Sequence, residues 1–240
     1  MTRLVLAGTS DARLLLERMD TTDVIASLAG ATRAPADLPC ETRIGGFGGA
    51  DGFRDYLQKA GITAVIDATH PFAAQMTHTA ATVCQSLDIP HMILQRPEWV
   101  AGETDDWRFV ERIDDIPNII PQGATVFLGT GRQTLDQFSC LKGRHLLARV
   151  IDEPTKPFPH KDGSFLVGTP PFSIAEEVAL FKERGIEWLV VKNAGGEKSK
   201  SKLDAAAQLG LPVVMINRPK LPDATVLGTV DEALHWVQAL

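Results

Sequence analysis

An internal repeat is the feature that most constrains how this chain can fold. Nine residues near the middle of the chain, IPHMILQRP (89–97), return near its end as LPVVMINRP (211–219), and both copies close with Arg-Pro. Two further matched pairs precede them at nearly equal spacing, and their four segments are LVLAGTS (4–10), VFLGTGR (126–132), GITAVIDATHPF (61–72) and GIEWLVVKNAGG (185–196). Three matched landmarks in the same order indicate that one α/β unit has been duplicated.

The matched segments are predicted to be buried parallel strands separated by helices. Each is a short, β-branched apolar run that ends in a polar turn, as strands buried on both faces do. Apolar residues recur at helical spacing between them, in the segments 11–19, 50–61, 73–88, 173–185 and 201–210. Strands that alternate with helices imply parallel sheets with right-handed crossover connections. The sequence therefore predicts an α/β protein.

The repeat also predicts where the domains lie. We expect two Rossmann-like parallel-sheet domains with a ligand cleft between them, the first spanning residues 1–97 and the second residues 125–240. The segment 98–124 is predicted to connect them, and VDEALHWVQAL (230–240) to close the second domain as an amphipathic helix. Whether the short strands that end in Arg-Pro pair within their own sheet or with the other sheet is left open.

Composition limits the classes of partner and compartment. The chain has 240 residues, enough for a full core, and a net charge of −6, which argues against general affinity for nucleic acid or membrane surfaces. Three well-separated cysteines (Cys40, Cys84 and Cys140) form no CxxC pair, which is typical of reduced thiols in a reducing compartment. The sequence shows no signal-peptide pattern and no apolar run of membrane-spanning length, so we expect a cytoplasmic protein.

The second half carries the features of a nucleotide site. In open parallel sheets, ligands bind beyond the carboxyl ends of the strands, near helix N-termini that favour anions. The turn GTGRQ (129–133) stands at such a place, although it is not the GxGxxG fingerprint. Arg149 follows it by about 20 residues, where an arginine suits the 2′-phosphate of NADP. Because Arg132 and Lys192 add positive charge near strand ends, a phosphorylated dinucleotide is predicted here; the alternative for Arg149 is a surface ion pair with Asp152.

The first half lacks a charge at the corresponding place and is assigned to substrate. In DATHPF (67–72), Asp67 and His70 could form a hydrogen-bonded acid/base pair; alternatively, His70 contacts a ligand or caps the helix while Asp67 holds the turn. HPFAAQMTH (70–78) is not the HExxH pattern and has no third ligand nearby, so no metal site is predicted. Ser10 follows a glycine turn without the GxSxG elbow of hydrolases. We interpret Ser10 and Asp11 as caps of the first helix, with the serine hydroxyl open to substrate.

Basic residues concentrate near the predicted strand ends of a chain that is acidic overall. They are Arg13, Arg33, Arg43, Arg96, Arg132, Arg149, Lys192, Lys198, Lys200, Lys202 and Arg218. The run GGEKSKSKL (195–203), rich in glycine, serine and lysine, is predicted to be a flexible loop that could close over an anionic ligand. The alternative for this run is a solvated helix start.

A set of motifs, taken together and in order, resembles the precorrin-6A reductase family of cobalamin biosynthesis. The motifs are LAGTSDAR, DATHPFAAQMTHTAA, LQRPEW, FLGTGRQ, GTPPF, VKNAGG and LPVVMINRP, which span roughly residues 3–220. The resemblance implies two Rossmann-like domains, one for coenzyme and one for substrate, without the standard glycine fingerprint. It also implies NADPH-dependent reduction of a tetrapyrrole double bond to give precorrin-6B, with hydride delivered to ring carbon 19 and a proton to ring carbon 18.

Position along the repeat then assigns residues to each ligand. The contacts predicted for NADPH are Gly129, Thr130, Gly131, Arg132, Gln133, Arg149, Thr169, Lys192 and Asn193. The contacts predicted for the anionic tetrapyrrole are Thr9, Ser10, Arg13, Arg33, Arg43, His70 and the lysines that follow Gly196, with Lys198 and Lys200 foremost. His70 is the one side chain considered for catalytic proton donation, and solvent or a substrate carboxyl is the alternative proton source. The next enzyme of the pathway is a candidate partner.

Two other functions fit parts of the sequence. Duplicated α/β lobes also suit a non-catalytic, two-lobed binding protein for an anionic small molecule, although such proteins usually carry an export signal. The second is an NADP-dependent reductase or epimerase of a smaller substrate. Epimerases of that kind usually show a Tyr-x-x-x-Lys pair, whereas Tyr56 is followed four residues on by Ala60. A cobalt-containing form of the macrocycle stays open as a substrate.

Overall fold

The computed structural model describes residues 1–30 and 37–240, with the backbone alone at Lys198. These residues form two compact units, one made of Met1–Pro97 together with Pro219–Leu240 and the other of Glu98–Arg218. Each unit contains a parallel sheet with helices between its strands, so the predicted α/β class is confirmed. Among the described residues, no helix combines the length and the apolar character needed to cross a membrane.

The elements follow the predicted alternation of strands and helices. In chain order the strands are β1 (Thr2–Leu6), β2 (Val24–Leu28), β3 (Glu41–Ile44), β4 (Ile62–Asp67), β5 (His91–Leu94), β6 (Trp107–Val110), β7 (Thr125–Gly129), β8 (His145–Val150), β9 (Gly163–Val167), β10 (Trp188–Lys192), β11 (Val213–Ile216) and β12 (Thr225–Leu227). The α-helices are α1 (Ser10–Arg18), α2 (Gly49–Lys59), α3 (Ala74–Ser86), α4 (Ile174–Glu183), α5 (Ser201–Leu209) and α6 (Val230–Gln238). Shorter 3-10 helices lie at Ile113–Asn118, Arg132–Leu141 and Glu197–Ser199. Each α-helix coincides with a segment predicted from apolar spacing, with ends shifted by one or two residues.

Both sheets repeat one strand order. Within the described residues, the first sheet reads β12-β5-β4-β1-β2-β3 and the second reads β6-β11-β10-β7-β8-β9, with every neighbouring pair parallel. The central strands β1 and β7 begin corresponding βαβ units, and one order becomes the other when each strand is replaced by its counterpart in the repeat. A shared order of this kind is what duplication of one α/β unit predicts.

The chain passes from one unit to the other at each Arg-Pro, after Pro97 and again after Arg218. The strands that precede the two dipeptides, β5 and β11, pair within their own sheets with β4 and β10. The next strand along the chain lies in the other sheet. Thus β6 pairs with β11, which places Val110 opposite Ile216, and β12 pairs with β5, which places Leu227 opposite Leu94. The strands that end in Arg-Pro therefore pair within their own sheets. The strands that follow them, β6 and β12, are exchanged between the two sheets.

This exchange differs from the domain boundaries expected from the sequence. Residues 98–124, predicted to be a connection, belong to the second unit, and the tail from Pro219, predicted to close the second domain, belongs to the first. The physical reason is that a repeat gives both sheets an equivalent edge, beside β5 in one and beside β11 in the other. Backbone hydrogen bonds make the pairing, so the short edge segments WRFV and TVL carry no side-chain pattern that selects between the two edges.

The C-terminal helix α6 is fixed to the first unit by packing and by its own cap. Ala233 and Leu15 of α1 are both fully buried in one apolar cluster. The Thr229 hydroxyl accepts from the Glu232 backbone N–H, while the Glu232 carboxylate accepts from the Thr229 backbone N–H. Such an N-cap contributes about 1 kcal/mol to stability. The tail therefore ends in a well-defined helix whose apolar face is covered by α1.

Candidate functional site

Two glycines shape the turn after β7, for different physical reasons. Gly131 has a φ of 79°, which glycine adopts readily, and it precedes the 3-10 helix Arg132–Leu141. At Gly129 the constraint is space, because a Cβ there would stand 3.0 Å from Val191 Cγ1 and 3.4 Å from carbons of the Lys202 side chain. Glycine at position 129 therefore leaves room for the aliphatic stem of Lys202 to extend over the turn.

A cavity of about 220 Å³ adjoins this turn, and its lining residues all belong to the second unit. It lies at the carboxyl ends of β7, β8 and β9, where ligands bind to open parallel sheets. Its walls include two aromatic rings, Phe127 and Phe172, and three charged side chains, Arg149, Glu177 and Lys202. Whole-ligand pockets usually measure about 300–1,000 Å³, so this cavity has the size to hold one part of a larger ligand.

Arg149 is held by protein groups on several sides. Its Nη1 and Nη2 donate to Oε1 and Oε2 of Glu177, both at 2.6 Å, in a bidentate pair. Its guanidinium also lies 4.8 Å from the centre of the Phe127 ring and 4.1 Å from that of Phe172. Glu177 is 2% exposed, so its charge is offset chiefly by that of Arg149. The ion pair with Asp152 that the sequence left open is thus replaced by a buried pair with Glu177.

Lys202 is a cavity residue that the sequence did not assign to the coenzyme. Its Nζ donates to the Ser199 carbonyl and lies 5.4 Å from the centre of the Trp99 ring. The sequence signal was the lysine-rich run 195–203, in which alternating lysines look alike. Which lysine lines the cavity depends on how α5 packs against the glycine turn. The sequence of the run alone does not predict that packing.

The charge on Lys202 is poised to change near neutral pH. Burial lowers the pKa of Lys202 from 10.5 to about 8. Of the neighbouring charges, Glu177 acts to raise this pKa and Arg149 acts to lower it. An anion placed beside Nζ would favour the charged form of the side chain.

The remaining predicted contacts of the β7 turn differ in exposure. Arg132 and Gln133 are exposed at the start of their 3-10 helix, and Thr169 is exposed in the turn that follows β9. Thr130 is 7% exposed, and its Oγ1 has no hydrogen-bond partner within the described part of the chain. A buried polar group left in this way costs about 1–3 kcal/mol. A ligand atom that bonded this hydroxyl would therefore bind more tightly.

Asn193 has a structural role inside the second unit. It is 1% exposed; its Oδ1 accepts from the Trp99 backbone N–H at 2.9 Å, and its Nδ2 donates to the Trp99 carbonyl at 3.2 Å. Both ends of the side-chain amide thus hold the segment by which the chain enters this unit. Lys192, the preceding residue, is partly buried, and burial lowers its pKa.

The turn after β4 is held by Asp67. This residue is 1% exposed, and its Oδ1 accepts from the Thr69 backbone N–H at 3.0 Å and from the Thr69 hydroxyl at 2.7 Å. His70 is exposed, and its Nδ1 accepts from the Phe72 backbone N–H at 3.2 Å. The two side chains take different partners, so the hydrogen-bonded acid/base pair is wrong, and the alternative in which Asp67 holds the turn is the one observed.

The first turn of α1 carries three of the predicted substrate residues. Thr9 is the N-cap: its Oγ1 accepts from the Ala12 backbone N–H at 3.1 Å and donates to the Ala68 carbonyl at 2.9 Å. The cap is thus Thr9 and not, as predicted, Ser10 and Asp11. Ser10 and Arg13 are exposed.

Arg43 is built into the turn that follows β3. Its Nη1 donates to the Ser27 hydroxyl at 2.6 Å and to the Gly45 carbonyl at 3.0 Å, and its Nη2 donates to the Gly46 carbonyl at 3.0 Å. The guanidinium also stacks 3.9 Å from the centre of the Phe47 ring. These bonds give Arg43 a scaffolding role, whatever ligand contact it makes in addition.

The lysine-rich run folds as a short 3-10 helix followed by α5, so the helix start is the observed alternative. Lys200 precedes α5 and forms an ion pair with Asp204, with Nζ 3.6 Å from Oδ1. Lys198 lies in the 3-10 helix, and its side chain is outside the described atoms. Arg33 lies outside the described residues altogether.

Much of the predicted basic cluster is engaged with protein groups. Arg96 Nη1 donates to Asp11 Oδ2 at 2.7 Å, and Arg218 Nε donates to the Asn193 carbonyl at 2.7 Å. Cations that already have partners in the protein contribute less net charge to a ligand. Over residues 1–30 and 37–240, the structure also contains no group of three or more His, Cys, Asp or Glu side chains that could hold a metal ion.

Comparisons with known proteins agree with one another over the whole chain. A family model described as "Precorrin-6x reductase CbiJ/CobK" matches residues 3–238. The chain is 42% identical to a precorrin-6A reductase of Rhodococcus erythropolis, over 100% of this chain and 99% of that protein. A solved structure of a CobK precorrin-6A reductase matches with a TM-score of 0.93 at 39% identity, over 100% of this chain and 97% of that one. A more distant relative, a cobalt-precorrin-6A reductase of Priestia megaterium, is 30% identical over 97% of this chain and 96% of that protein.

Proposed function

The chain belongs to the precorrin-6x reductase family, and on that premise we propose that it reduces precorrin-6A to precorrin-6B with NADPH as the hydride donor. The observation that carries the proposal is the match of the chain, over its full length, to a reductase named for that substrate. A reductase of this kind takes its electrons from a cofactor, and the protein supplies binding, orientation and electrostatics. The cavity beside the β7 turn supports a nicotinamide nucleotide in the second unit.

The residues around that turn fit a phosphorylated nucleotide. Thr130 offers a buried hydroxyl that has no partner among the described residues, and Lys202 offers an ammonium group in the cavity. Arg132 and Gln133 are exposed beside them. We assign one phosphate-bearing part of NADPH to the cavity, and the remainder to the turn Gly129–Gln133 and to the exposed hydroxyl of Thr169. We do not assign Asn193, because its amide is already bonded to the backbone of the same unit.

The chain's own contribution to the reaction is to bind and orient two ligands. NADPH, when bound, supplies the hydride that we assign to ring carbon 19, while a proton is added at ring carbon 18. The macrocycle carries carboxylates, which guanidinium groups bind in a bidentate manner. We assign such a carboxylate to Arg13, which is exposed together with Ser10 in the first turn of α1. A carboxylate held by a guanidinium group loses rotational freedom before the reaction, which lowers the entropic part of the barrier.

His70 is better suited to contact substrate than to protonate it. Its Nδ1 accepts a hydrogen bond from Phe72, so in the neutral ring the proton stands on Nε2. To act as an acid the ring must first be doubly protonated, and a proton on Nδ1 would replace that bond with repulsion between two N–H groups. We therefore assign to His70 a contact with the macrocycle. Solvent or a carboxyl group of the substrate supplies the proton for ring carbon 18.

A cobalt-bearing macrocycle is the second candidate substrate. The observation in its favour is the relative from Priestia megaterium, which is named for the cobalt form. Its identity to this chain, 30%, is lower than the 42% shared with the Rhodococcus erythropolis protein, which is named for the metal-free form. The comparison therefore favours the metal-free substrate.

A spectral assay with each macrocycle tests the proposal. We expect precorrin-6A to change its absorption as NADPH is oxidised in equal amount, and kcat/KM to fall roughly tenfold or more with NADH, the effect of losing one charge-assisted contact. A folded protein that binds NADPH, seen as enhanced fluorescence, but does not oxidise it in the presence of precorrin-6A would favour the non-catalytic binding protein. Faster turnover of the cobalt form would make the cobalt-bearing macrocycle the preferred candidate substrate.

A further inference from the structure

We infer that Lys202, and not Arg149, is the cation that receives an oxyanion in the cavity of the second unit. The inference rests on the proposed function and deepens it, because it names the cation that binds an oxyanion of the coenzyme or of the substrate. It also revises the expectation from sequence, in which an arginine at position 149 meets the 2′-phosphate.

Arg149 is already matched by a carboxylate. Each of its terminal nitrogens donates to an oxygen of Glu177 at 2.6 Å, and the rings of Phe127 and Phe172 lie within 5 Å of its guanidinium carbon. A phosphate that approached the same guanidinium would come close to the Glu177 carboxylate. Like charges in a site of low exposure disfavour each other, so the neutral pair attracts an anion much less than the arginine alone would.

Lys202 has no such partner. No carboxylate among the described residues forms an ion pair with its Nζ, and the hydrogen bond that the ammonium makes is to the neutral carbonyl of Ser199. An ammonium group has three donors, which leaves two for a ligand. Because Glu177 cancels the charge of Arg149, the net positive charge of the cavity stands on Lys202.

The position of Lys202 suits an oxyanion beside the glycine turn. Carbons of its stem lie 3.4 Å from the place where a Cβ of Gly129 would stand, so the side chain crosses the turn at the end of β7. Ser199 and Ser201 line the same cavity, and serine hydroxyls donate readily to phosphate and carboxylate oxygens.

The electrostatic surroundings of Nζ agree with this role. The charged groups that act on it are Arg149 on β8 and Glu177 on α4, and the ring of Trp99 lies to one side. Burial lowers the pKa of Lys202 to about 8, a cost that an incoming anion would relieve. The shared chemistry of the ligand is an oxyanion, for which the 2′-phosphate of NADPH and a carboxylate of the macrocycle are the two sources.

Binding titrations on matched variants separate the two cations. Lys202→Met removes the unpaired charge and keeps most of the aliphatic stem. The double variant Arg149→Met/Glu177→Gln removes both members of the ion pair at once, so that neither charge is left buried alone. Lys182→Met, on the exposed side of α4, is the control for the same substitution outside the cavity. Each protein is titrated calorimetrically with NADPH, with NADH and with uroporphyrin, a polycarboxylate tetrapyrrole, after circular dichroism has shown that it is folded.

We expect Lys202→Met to weaken NADPH roughly tenfold or more, the effect of a lost charge-assisted hydrogen bond, and to leave NADH nearly unchanged. The double variant alters the cavity wall for both coenzymes alike, so it should keep the wild-type preference for NADPH over NADH. If Lys202→Met instead weakens uroporphyrin alone, the oxyanion is a substrate carboxylate. Unchanged affinity for both probes in Lys202→Met would overturn the inference, and so would a loss of NADPH selectivity confined to the double variant.

Failure of the inference and failure of the proposed function give different results. If wild-type protein binds NADPH well and Lys202→Met binds it equally well, the coenzyme assignment stands and the role of Lys202 is wrong. If wild-type protein binds neither NADPH nor NADH, the coenzyme assignment itself is wrong, and the uroporphyrin titration alone decides whether Lys202 holds an oxyanion.

Discussion

Leu227 lies opposite Leu94 at the edge of the first sheet, although the whole of the second unit separates them along the chain. The corresponding pair in the second sheet, Val110 and Ile216, is likewise made by the strand that follows an Arg-Pro and the strand that precedes the other. Each unit is therefore completed by a strand that the repeat alone would place elsewhere. The first unit, in particular, depends on the last residues of the chain.

Replacing Ala233 with Asp should destabilise the first unit and spare the second. Ala233 is fully buried in the apolar cluster that also contains Leu15, and an unpaired carboxylate at such a place costs several kcal/mol, on the order of 3 or more. Hydrogen exchange followed by mass spectrometry should show faster exchange in β1 and α1 and unchanged exchange in β10. Ala239→Asp, at the exposed end of the same helix, is the control and should change little. Faster exchange confined to the second unit would show that the tail belongs there.

The elements could be predicted from sequence because each is specified locally. Apolar spacing marked α3 at 73–88, and the β-branched run before Asp67 marked β4. The pairing of β12 could not be predicted in the same way, because duplication leaves two equivalent edges and short edge segments carry no signal that separates them.

The same contrast between local and distant information holds at the site. The turn Gly129–Gln133 could be identified because a glycine turn after a buried strand is a local pattern. Glu177 could not be identified, because its role depends on Arg149, which is 28 residues away in sequence and bonds to it only in the folded protein. The sequence did not distinguish Lys202 from the neighbouring lysines. In the structure it is Lys202 whose side chain extends over the turn, in the space next to Gly129.

Replacing Arg43 with Lys should lower the stability of the protein. Lysine cannot reproduce the fork that bonds Ser27, Gly45 and Gly46, nor the flat stacking on Phe47, so we expect a loss of about 1–2 kcal/mol in urea unfolding. The matched control is Arg13→Lys, at an exposed helix position, where stability should stay within about 0.5 kcal/mol of the wild type. Wild-type stability in Arg43→Lys together with a raised KM for the macrocycle would make substrate contact the main role of Arg43.

Replacing His70 with Ala should raise KM for the macrocycle and leave kcat nearly unchanged. Loss of one neutral hydrogen bond of about 1 kcal/mol corresponds to a roughly fivefold rise in KM. The same variant should show the pH profile of kcat seen in the wild type, because no proton is transferred from the ring. A fall of about a hundredfold in kcat, with loss of one limb of that profile, would make His70 the proton donor after all.

Replacing Lys202 with Met should change how stability depends on pH. In the folded protein burial lowers the pKa of Lys202 from 10.5 to about 8, so between these values the unfolded chain binds more protons than the folded one. The free energy of unfolding therefore rises with pH across this window by a contribution that Lys202→Met lacks. In urea unfolding at pH 7, 8, 9 and 10, the free energy of unfolding of the wild type should increase relative to that of Lys202→Met as pH rises. Lys182→Met should show the same pH dependence as the wild type.

The same pH series in the presence of NADPH or NADH tests whether the destabilisation caused by the buried charge of Lys202 is related to its proposed role. An unpaired, partly buried cation is destabilising below pH 8, and such a cost is expected where a site is preorganised for a charged ligand. Saturating NADPH should keep Lys202 charged and reduce the rise of the free energy of unfolding with pH. NADH should leave that rise unchanged. If the free energy of unfolding rises equally with pH in the presence of either coenzyme, the 2′-phosphate does not reach this ammonium group. If the difference in free energy of unfolding between wild type and Lys202→Met is the same from pH 7 to 10, the pKa of Lys202 is not lowered.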